Sequence, residues 1–172
     1  MISNDTISLK AIIDEDMIQY KKCSMFLGSC VCDFKCARDG NFPVSICQNS
    51  ALATSPIITL RIEYVIKRYL ENPLSSAIVF GGLEPFKQFD ELYDFIEEFR
   101  KKSDDDIVIY TGYYPEEIAY KLKVLQCFKN IIIKFGRYIP NKEKHFDEVL
   151  GVNLASDNQY GITLEDAICQ LK

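Results

Sequence analysis

The sequence predicts an α/β protein in which a mostly parallel sheet is connected by crossover helices. In its 172 residues, short apolar runs alternate with amphipathic helical patterns, which is typical of parallel strands joined by helices. The runs are apolar at every position, and this indicates strands that are buried on both faces. Since a closed eight-stranded barrel typically needs ~250 residues, we expect one domain, residues 1–172, with an open sheet or a partial β/α barrel.

The predicted strands are short apolar runs that end at turn residues or polar side chains. Two of them stop at glycine-containing turns, Gly81-Gly82 and Thr111-Gly112, and a third is followed by Lys134. Runs of four to eight apolar residues with such boundaries are typical of buried strands. The four predicted strands are residues 24–27, 77–80, 107–110 and 131–133.

Four amphipathic patterns predict helices between and after these strands. The first lies within residues 59–73 and ends at Asn72-Pro73. The third begins at Pro115, and residues 163–166 have the pattern of a capping box that begins the last one. The residues expected to face the core are Ile62, Val65, Ile66, Tyr69 and Leu70 in the first helix and Phe89, Leu92, Ile96 and Phe99 in the second.

Composition and charge exclude several classes of function. The chain has 20 basic and 25 acidic residues and a net charge of −5, which argues against binding to nucleic acid or to an anionic membrane surface. No stretch approaches the ~20 apolar residues of a membrane span, and the first residues lack the pattern of a secretion signal. We therefore expect a cytoplasmic protein.

Residues 28–56 interrupt the alternation and contain a cluster of cysteines. Five of the seven cysteines lie between positions 23 and 47. In a reducing compartment, such crowding is more typical of metal or redox chemistry than of disulfides. The close spacings are C-x-C and C-x3-C, from Cys30 through Cys32 to Cys36, and Cys47 follows after ten residues. Spacing alone leaves zinc and iron–sulfur both open.

The cysteine loop and the two glycine-containing turns are predicted to meet at one edge of the sheet. All three follow predicted strands directly, and sites of parallel α/β sheets form beyond the carboxyl ends of the strands. The pair Gly81-Gly82 allows the backbone to approach a ligand closely. Glu84 adds a negative charge or a hydrogen-bond acceptor, and Pro85 fixes the turn. We therefore expect a functional site at this edge.

This order of motifs resembles the radical S-adenosylmethionine (SAM) enzymes, in which a cysteine-rich loop follows the first strand and a GGEP-like turn follows the second. Tyr110-Thr-Gly-Tyr113 is similar to the YTGY segment of the anaerobic ribonucleotide reductase activating proteins. Gly136-Arg-Tyr-Ile139 and Ser156-Asp-Asn-Gln159 resemble the tail of the same proteins. The resemblance covers roughly residues 20–160 and implies a partial, open β/α barrel of the radical SAM type.

The resemblance implies a [4Fe–4S] cluster held by three cysteines. The family pattern is C-x3-C-x2-C. Cys32 and Cys36 match its first half, but position 39 holds Asp39 in place of the third cysteine. Cys47-Gln-Asn is similar to the family's Cys-aromatic-Asn and makes Cys47 the implied third ligand, with Cys30 as its competitor.

The second implied cofactor is S-adenosylmethionine, which chelates the cluster iron that has no protein ligand. An electron from the cluster then breaks the S–C5′ bond and yields a 5′-deoxyadenosyl radical, so no catalytic side chain is implied. Lys134 could pair with the cofactor carboxylate or extend to solvent, and Tyr110 could stack on adenine or pack in the core. The implied cofactor-binding residues are Asn49, Gly81, Gly82, Glu84, Pro85, Tyr110, Gly112 and Lys134.

The resemblance also implies partners. They are a glycyl radical enzyme, whose glycine would donate the hydrogen atom, and a low-potential electron donor of the flavodoxin or ferredoxin type. Two alternatives stay open: a radical SAM enzyme that acts on another peptide or small molecule, and a non-enzymatic iron–sulfur or zinc-binding module. The residues expected to contact the partner are Arg137, Ser156, Asn158 and Gln159.

Overall fold

In the computed structural model, which describes residues 5–171, one mixed sheet forms the centre of the protein. Its strands are β1 (Thr6–Asp16), β2 (Ser24–Ser29), β3 (Ile58–Arg61), β4 (Ala77–Gly82), β5 (Asp106–Tyr110), β6 (Ile131–Phe135) and β9 (Tyr160–Thr163), whereas β7 (His145–Asp147) and β8 (Val152–Leu154) pair in a separate hairpin.

The strand order is β3-β1-β2-β4-β5-β6-β9. The central strands β2, β4, β5 and β6 pair in parallel, while β1, β3 and β9 are antiparallel to their neighbours. The predicted α/β fold with a parallel central sheet is thus confirmed. Within the described residues, β3 and β9 are the two edges of an open sheet, and a barrel is not formed.

The helices of the described residues connect these strands. They are α1 (Lys35–Gly40), α2 (Ser50–Thr54), α3 (Ile62–Glu71), α4 (Phe89–Arg100), α5 (Ala119–Leu125) and α6 (Leu164–Gln170), with single 3-10 turns at Val44–Ile46, Pro85–Gln88 and Pro115–Glu117. Thr163 caps α6 as predicted, because its hydroxyl accepts a hydrogen bond from the Asp166 N–H. None of these helices is long and apolar enough to cross a membrane.

The first helix, predicted within residues 59–73, begins later than its sequence pattern indicates. Residues 58–61 form β3, and the helix begins only at Ile62. The backbone of this segment pairs with β1, with Thr59 opposite Ser8 and Leu60 opposite Ile7. Pairing with a distant strand therefore prevails over the local helical pattern. Leu70, expected in the core, is exposed.

The cysteine-rich segment is not the structureless loop that the sequence predicts. It contains α1, a 3-10 turn and α2, each of six residues or fewer. Of residues 30–57, Ala37 alone is buried. Short elements with so little buried surface have no apolar periodicity, which is why the sequence does not reveal them.

The two faces of the sheet are covered differently. Phe80, Ile109 and Ile133 point to the face on which α3, α4, α5 and α6 pack. Their neighbours Val79 and Val108 point to the opposite face, where Tyr20, Leu150 and Leu154 cover them. Burial on both faces is confirmed, but among the described residues the helices supply only one of the two layers. Loop residues and the β7–β8 hairpin supply the other.

The alternation of side chains along the strands determines which residues lie on the same face of the sheet as the β7–β8 hairpin. Because successive side chains of a strand point to opposite faces, Gly81, Tyr110 and Lys134 follow Val79, Val108 and Ile132 on that side. In the register, Gly81 lies opposite Gly28 and Tyr110 lies opposite Lys134. The fold thus brings these residues to the face that α3, α4, α5 and α6 leave uncovered.

The helix-covered face should carry much of the stability. Phe95 of α4 is fully buried, and its ring lies 5.2 Å from Phe80 and 6.1 Å from Phe99 between centroids. Phe95→Ala removes these contacts and leaves a cavity, so we expect the free energy of unfolding to fall by about 3–5 kcal/mol. Urea unfolding followed by circular dichroism measures this loss.

Tyr120→Ala is the matched control, because this helical tyrosine is 78% exposed. Its effect should stay within about 0.5 kcal/mol. A loss for Phe95→Ala as small as that of the control would contradict the assignment of the core to this face.

Candidate functional site

A cavity of about 370 Å³ lies where the parallel strands end. It is enclosed by the cysteine loop, by the turns after β4 and β5, by the end of β6, and by the β7–β8 hairpin with the segment that follows it. The predicted site residues that line it are Cys32, Cys36, Cys47, Asn49, Gly82, Glu84, Tyr110, Gly112, Lys134 and Gln159.

The other predicted site residues lie behind or beside the cavity. The described residues that line it do not include Cys30, Gly81, Pro85, Arg137, Ser156 or Asn158. Gly81 packs against Phe26, whose ring carbon would lie 3.0 Å from an added Cβ. Pro85 is buried at the start of a 3-10 turn. Their contributions to the site are therefore indirect.

Three thiols face the same space. Cys36 lies in α1, Cys32 precedes this helix, and Cys47 follows a 3-10 turn. Burial raises the pKa of the Cys32 thiol to about 11 and also raises that of Cys36. The charge of Cys36 contributes to the shift at Cys32, and that of Cys47 contributes to the shift at Cys36. The three thiols are thus electrostatic neighbours.

The spacing of these thiols differs from that of a mononuclear metal site. Within residues 5–171, no three His, Cys, Asp or Glu side chains form a group that could hold a metal ion. In a [4Fe–4S] cluster, each thiolate binds a different iron, so the ligands surround a larger group. The soft sulfur donors suit iron–sulfur chemistry.

The position of the Cys36 thiol depends on the absence of a side chain at Gly112. A Cβ at this position would lie 2.8 Å from the Cys36 Sγ and 3.8 Å from the Glu84 Oε2. Any larger residue would therefore push against the thiol. The thiols of Cys32, Cys36 and Cys47 around one cavity form a sulfur donor set that fits a [4Fe–4S] cluster.

The comparison with protein families agrees with this donor set. The family of 4Fe-4S single cluster domains matches residues 21–159, about four fifths of the chain. The chain belongs to this family. No curated protein and no solved structure matches the chain. The prediction of an iron–sulfur protein is confirmed at this level, and the 4Fe-4S single cluster domain spans the cysteine loop, the central parallel strands and the hairpin.

Glu84 connects the turns that follow two strands of this domain. It is almost fully buried, and its carboxylate accepts hydrogen bonds from the Thr111 hydroxyl at 2.8 Å and the Gly112 N–H at 2.9 Å. A third bond comes from the Phe86 N–H at 3.1 Å. Both carboxylate oxygens are thus occupied by groups of the protein. Glu84 fixes the backbone at Gly112, and the absence of a side chain there allows the Cys36 thiol to lie close to it.

Lys134 does not extend to solvent, so that alternative is wrong. Lys134 is 7% exposed, and its ammonium donates a hydrogen bond to the carbonyl of Gly136 at 3.0 Å. The ammonium also lies 5.7 Å from the centre of the Tyr110 ring. Burial lowers the pKa of Lys134 to about 8, while the charges of Cys36 and Glu84 oppose this shift. Lys134 thus brings a desolvated positive charge to the cavity.

The residues expected to bind a partner form hydrogen bonds with the backbone of their own chain. Gln159 accepts from the Ser156 N–H and donates to the carbonyl of Gly136. Asn158 donates to the carbonyl of Arg137 at 2.9 Å. Gly136 has φ +101°, and an added Cβ would lie 2.8 Å from the Asn158 carbonyl oxygen. The segment 156–159 therefore fixes the turn after β6.

One wall of the cavity was not predicted. It consists of Ile18 and Gln19 from the β1–β2 connection and of Lys144 and residues 152–155 around the hairpin. The strands of this hairpin have three residues each. Strands this short give no periodic signal in the sequence. The position of the hairpin beside the cavity depends on contacts between distant parts of the chain.

The cluster ligands can be tested one by one. We expect Cys32→Ala, Cys36→Ala and Cys47→Ala to lose most of the ~4 iron atoms of a [4Fe–4S] cluster per chain. Cys30→Ala should retain them, since Cys30 is not on the cavity. The measurement is iron per chain after anaerobic purification, with exposed Cys127→Ala as the control. Loss of iron in Cys30→Ala together with retention in Cys47→Ala would reverse the assignment of the third ligand.

Glu84 should make the stability of the cluster-free protein depend on pH. Burial raises the pKa of its carboxyl from 4.5 to about 7, although hydrogen bonds from Gly112 and Thr111 oppose the shift. Folding therefore favours the protonated form. Protonated Glu84 makes its full contribution to the free energy of unfolding below pH 4.5. As the pH rises from 4.5 to 7, this free energy falls by about 3 kcal/mol. In urea unfolding, Glu84→Gln should lack this decrease; equal pH slopes in both proteins would contradict it.

Proposed function

We propose that this protein is a radical SAM enzyme that cleaves S-adenosylmethionine reductively and activates a glycyl radical enzyme such as an anaerobic ribonucleotide reductase. The observation that carries the proposal is the cavity itself. Cys32, Cys36 and Cys47 line it together with Gly82 and Gly112, the glycines of the two turns after β4 and β5. This arrangement supports a cluster and a small molecule that share one space.

The number of thiols on the cavity supports an enzyme over an electron carrier. A carrier of the usual kind holds its [4Fe–4S] cluster with four thiolates. Cys30 would be the fourth thiol of this loop, but it is not among the described residues that line the cavity. The N–H of Cys30 donates to Gln88 Oε1 at 2.7 Å, which holds its backbone in place. Three ligands leave one iron free to bind a small molecule.

The residues around the thiols suit the functional groups of S-adenosylmethionine. When bound, the reduced cluster supplies the electron for cleavage of the sulfonium bond. The buried ammonium of Lys134 provides a counter-charge for a carboxylate. Gly82 lines the cavity and would present its backbone to a ligand amino group, and the ring of Tyr110 offers an apolar face. Asn49, at the start of α2, adds an amide that can donate and accept.

The hairpin side of the cavity favours a macromolecular substrate. Ile18 is 75% exposed and Lys144 is also exposed, and both line the cavity. The rim therefore combines an apolar and a cationic side chain at the surface, where an extended segment of a partner can reach them. The proposal includes a low-potential donor of the flavodoxin or ferredoxin type and a cytoplasmic location.

The experiment is an anaerobic assay in two steps. The reduced protein alone, mixed with S-adenosylmethionine, should form 5′-deoxyadenosine and methionine. Addition of the anaerobic ribonucleotide reductase from the same genome should produce the doublet of a glycyl radical in EPR, in step with 5′-deoxyadenosine. Cys36→Ala should abolish both signals, and Cys127→Ala should leave both unchanged.

The two steps separate the proposed activities. Cofactor cleavage without a glycyl radical would remove the activase role and favour another peptide or a small molecule as the substrate. A protein that holds its iron but neither binds nor cleaves S-adenosylmethionine would be an electron carrier, and the enzyme proposal would be wrong.

A further inference from the structure

The cysteine loop is attached to the sheet mainly by polar contacts. Ala37 is the only buried residue among positions 30–57, so apolar burial contributes little to the position of this loop. Segments with few buried apolar contacts open locally at low free energy. The position of the thiols therefore depends on the hydrogen bonds and ion pairs between this loop and the rest of the chain.

The most buried of these ion pairs is made by Arg137. Its Nε lies 2.7 Å from Asp39 Oδ2, and its Nη2 lies 2.5 Å from Glu117 Oε1. The Arg137 side chain is only 10% exposed. Its guanidinium also lies over the ring of Tyr114, 4.9 Å from the centroid. Ion pairs that are shielded from water in this way are less weakened by solvent than exposed ones.

Lys35 closes the arrangement into a ring of alternating charges. Its ammonium lies 3.0 Å from Asp39 Oδ2 and 3.6 Å from Glu117 Oε1. Two of the four charged residues, Lys35 and Asp39, thus belong to α1, and Cys36 lies between them in the same short helix. The other two belong to the turns after β5 and β6. The ring connects the helix that carries the thiol to the edge of the parallel sheet.

Hydrogen bonds from the segment 156–159 fix the backbone of Arg137. The carbonyl of Arg137 accepts hydrogen bonds from the Asn158 amide at 2.9 Å and from the Ser156 hydroxyl at 3.4 Å. Gln159 binds the carbonyl of Gly136, one residue before it. The segment 156–159 therefore fixes the point from which the guanidinium reaches α1.

We propose that Arg137 is the positioning residue of the cluster site: it docks α1 against the carboxyl end of β6 and so holds the Cys36 thiol beside Gly112. It acts through Asp39 and Glu117 and is not among the described residues that line the cavity. The planar guanidinium can bind two carboxylates at once, which a lysine ammonium does less well. The inference rests on the family's cluster and is independent of the cleavage of S-adenosylmethionine.

The test compares Arg137→Gln and Arg137→Lys with a matched control, Arg68→Gln. Arg68 forms a similar pair with Asp14, at 2.7 Å, outside the cysteine loop. Hydrogen exchange of the full chain, freed of iron by chelation, is measured by mass spectrometry. We expect exchange of residues 33–42 to become about tenfold faster in Arg137→Gln, which corresponds to ~1.4 kcal/mol. Arg137→Lys should be intermediate, and Arg68→Gln should leave this segment unchanged.

Iron retained after anaerobic reconstitution is the second readout. It should fall to less than about half in Arg137→Gln, in line with the ranking of exchange rates, and stay complete in Arg68→Gln. Asp39→Asn covers the case in which Arg137→Gln does not fold, because Asp39 is 40% exposed and lies on the surface. Asp39→Asn removes one carboxylate of the ring. It should make hydrogen exchange of residues 33–42 faster without changing exchange in β4, β5 and β6.

Three results would overturn the proposal. One is unchanged exchange and iron content in Arg137→Gln, which would show that the ion pairs of Arg137 do not hold α1 in place. Another is an equal increase of exchange in the central strands, which would show a general loss of stability. The third is the same loosening of residues 33–42 in Arg68→Gln, which would show that the ring around α1 has no specific role.

Discussion

The parallel pairing of β2, β4, β5 and β6 determines where the chemistry of this protein is assembled. Because these strands run in one direction, the segments that follow them emerge at the same edge of the sheet. The cysteine loop follows β2, Glu84 follows β4 and Gly112 follows β5. The hydrogen bonds of Glu84 to Thr111 and Gly112 then join the last two segments. Each group of the site thus owes its position to the direction of a strand.

The unequal covering of the sheet explains why the cavity lies on one side. The helices pack on the face of Phe80, Ile109 and Ile133 and leave no space there. The opposite face is covered by Tyr20, a few other loop residues and the hairpin, which are smaller than a helix layer. Buried charges such as Lys134 are tolerated on this side because groups of the chain bind them, as the carbonyl of Gly136 does.

The sequence predicts those parts of the protein whose signal is local. Residues 77–80, 107–110 and 131–133 are apolar at each position, so the central strands and the edge where they end could be predicted, and with them a shared site for the cysteine loop and the glycine-containing turns. The choice of Cys32, Cys36 and Cys47 within that loop depended on the family resemblance. β3 and the hairpin could not, because their pairing depends on distant strands. Nor could the role of Arg137, since its carboxylate partners are 98 and 20 residues away along the chain. The ion pairs of Arg137 are a long-range feature of the fold that local sequence patterns do not reveal.

The weak attachment of the cysteine loop also bears on its unusual length. Between Cys36 and Cys47, the implied third ligand, the chain has ten residues where the pattern that it resembles has two, and β2, which precedes this loop, still pairs in parallel with β4. A longer surface connection mainly costs closure entropy, which grows by only ~0.6 kcal/mol for each doubling of length. A segment that contributes little to the core can therefore be lengthened cheaply. The cluster loop can change its size and sequence, and with it the shape of the mouth of the cavity, while the sheet beneath stays the same.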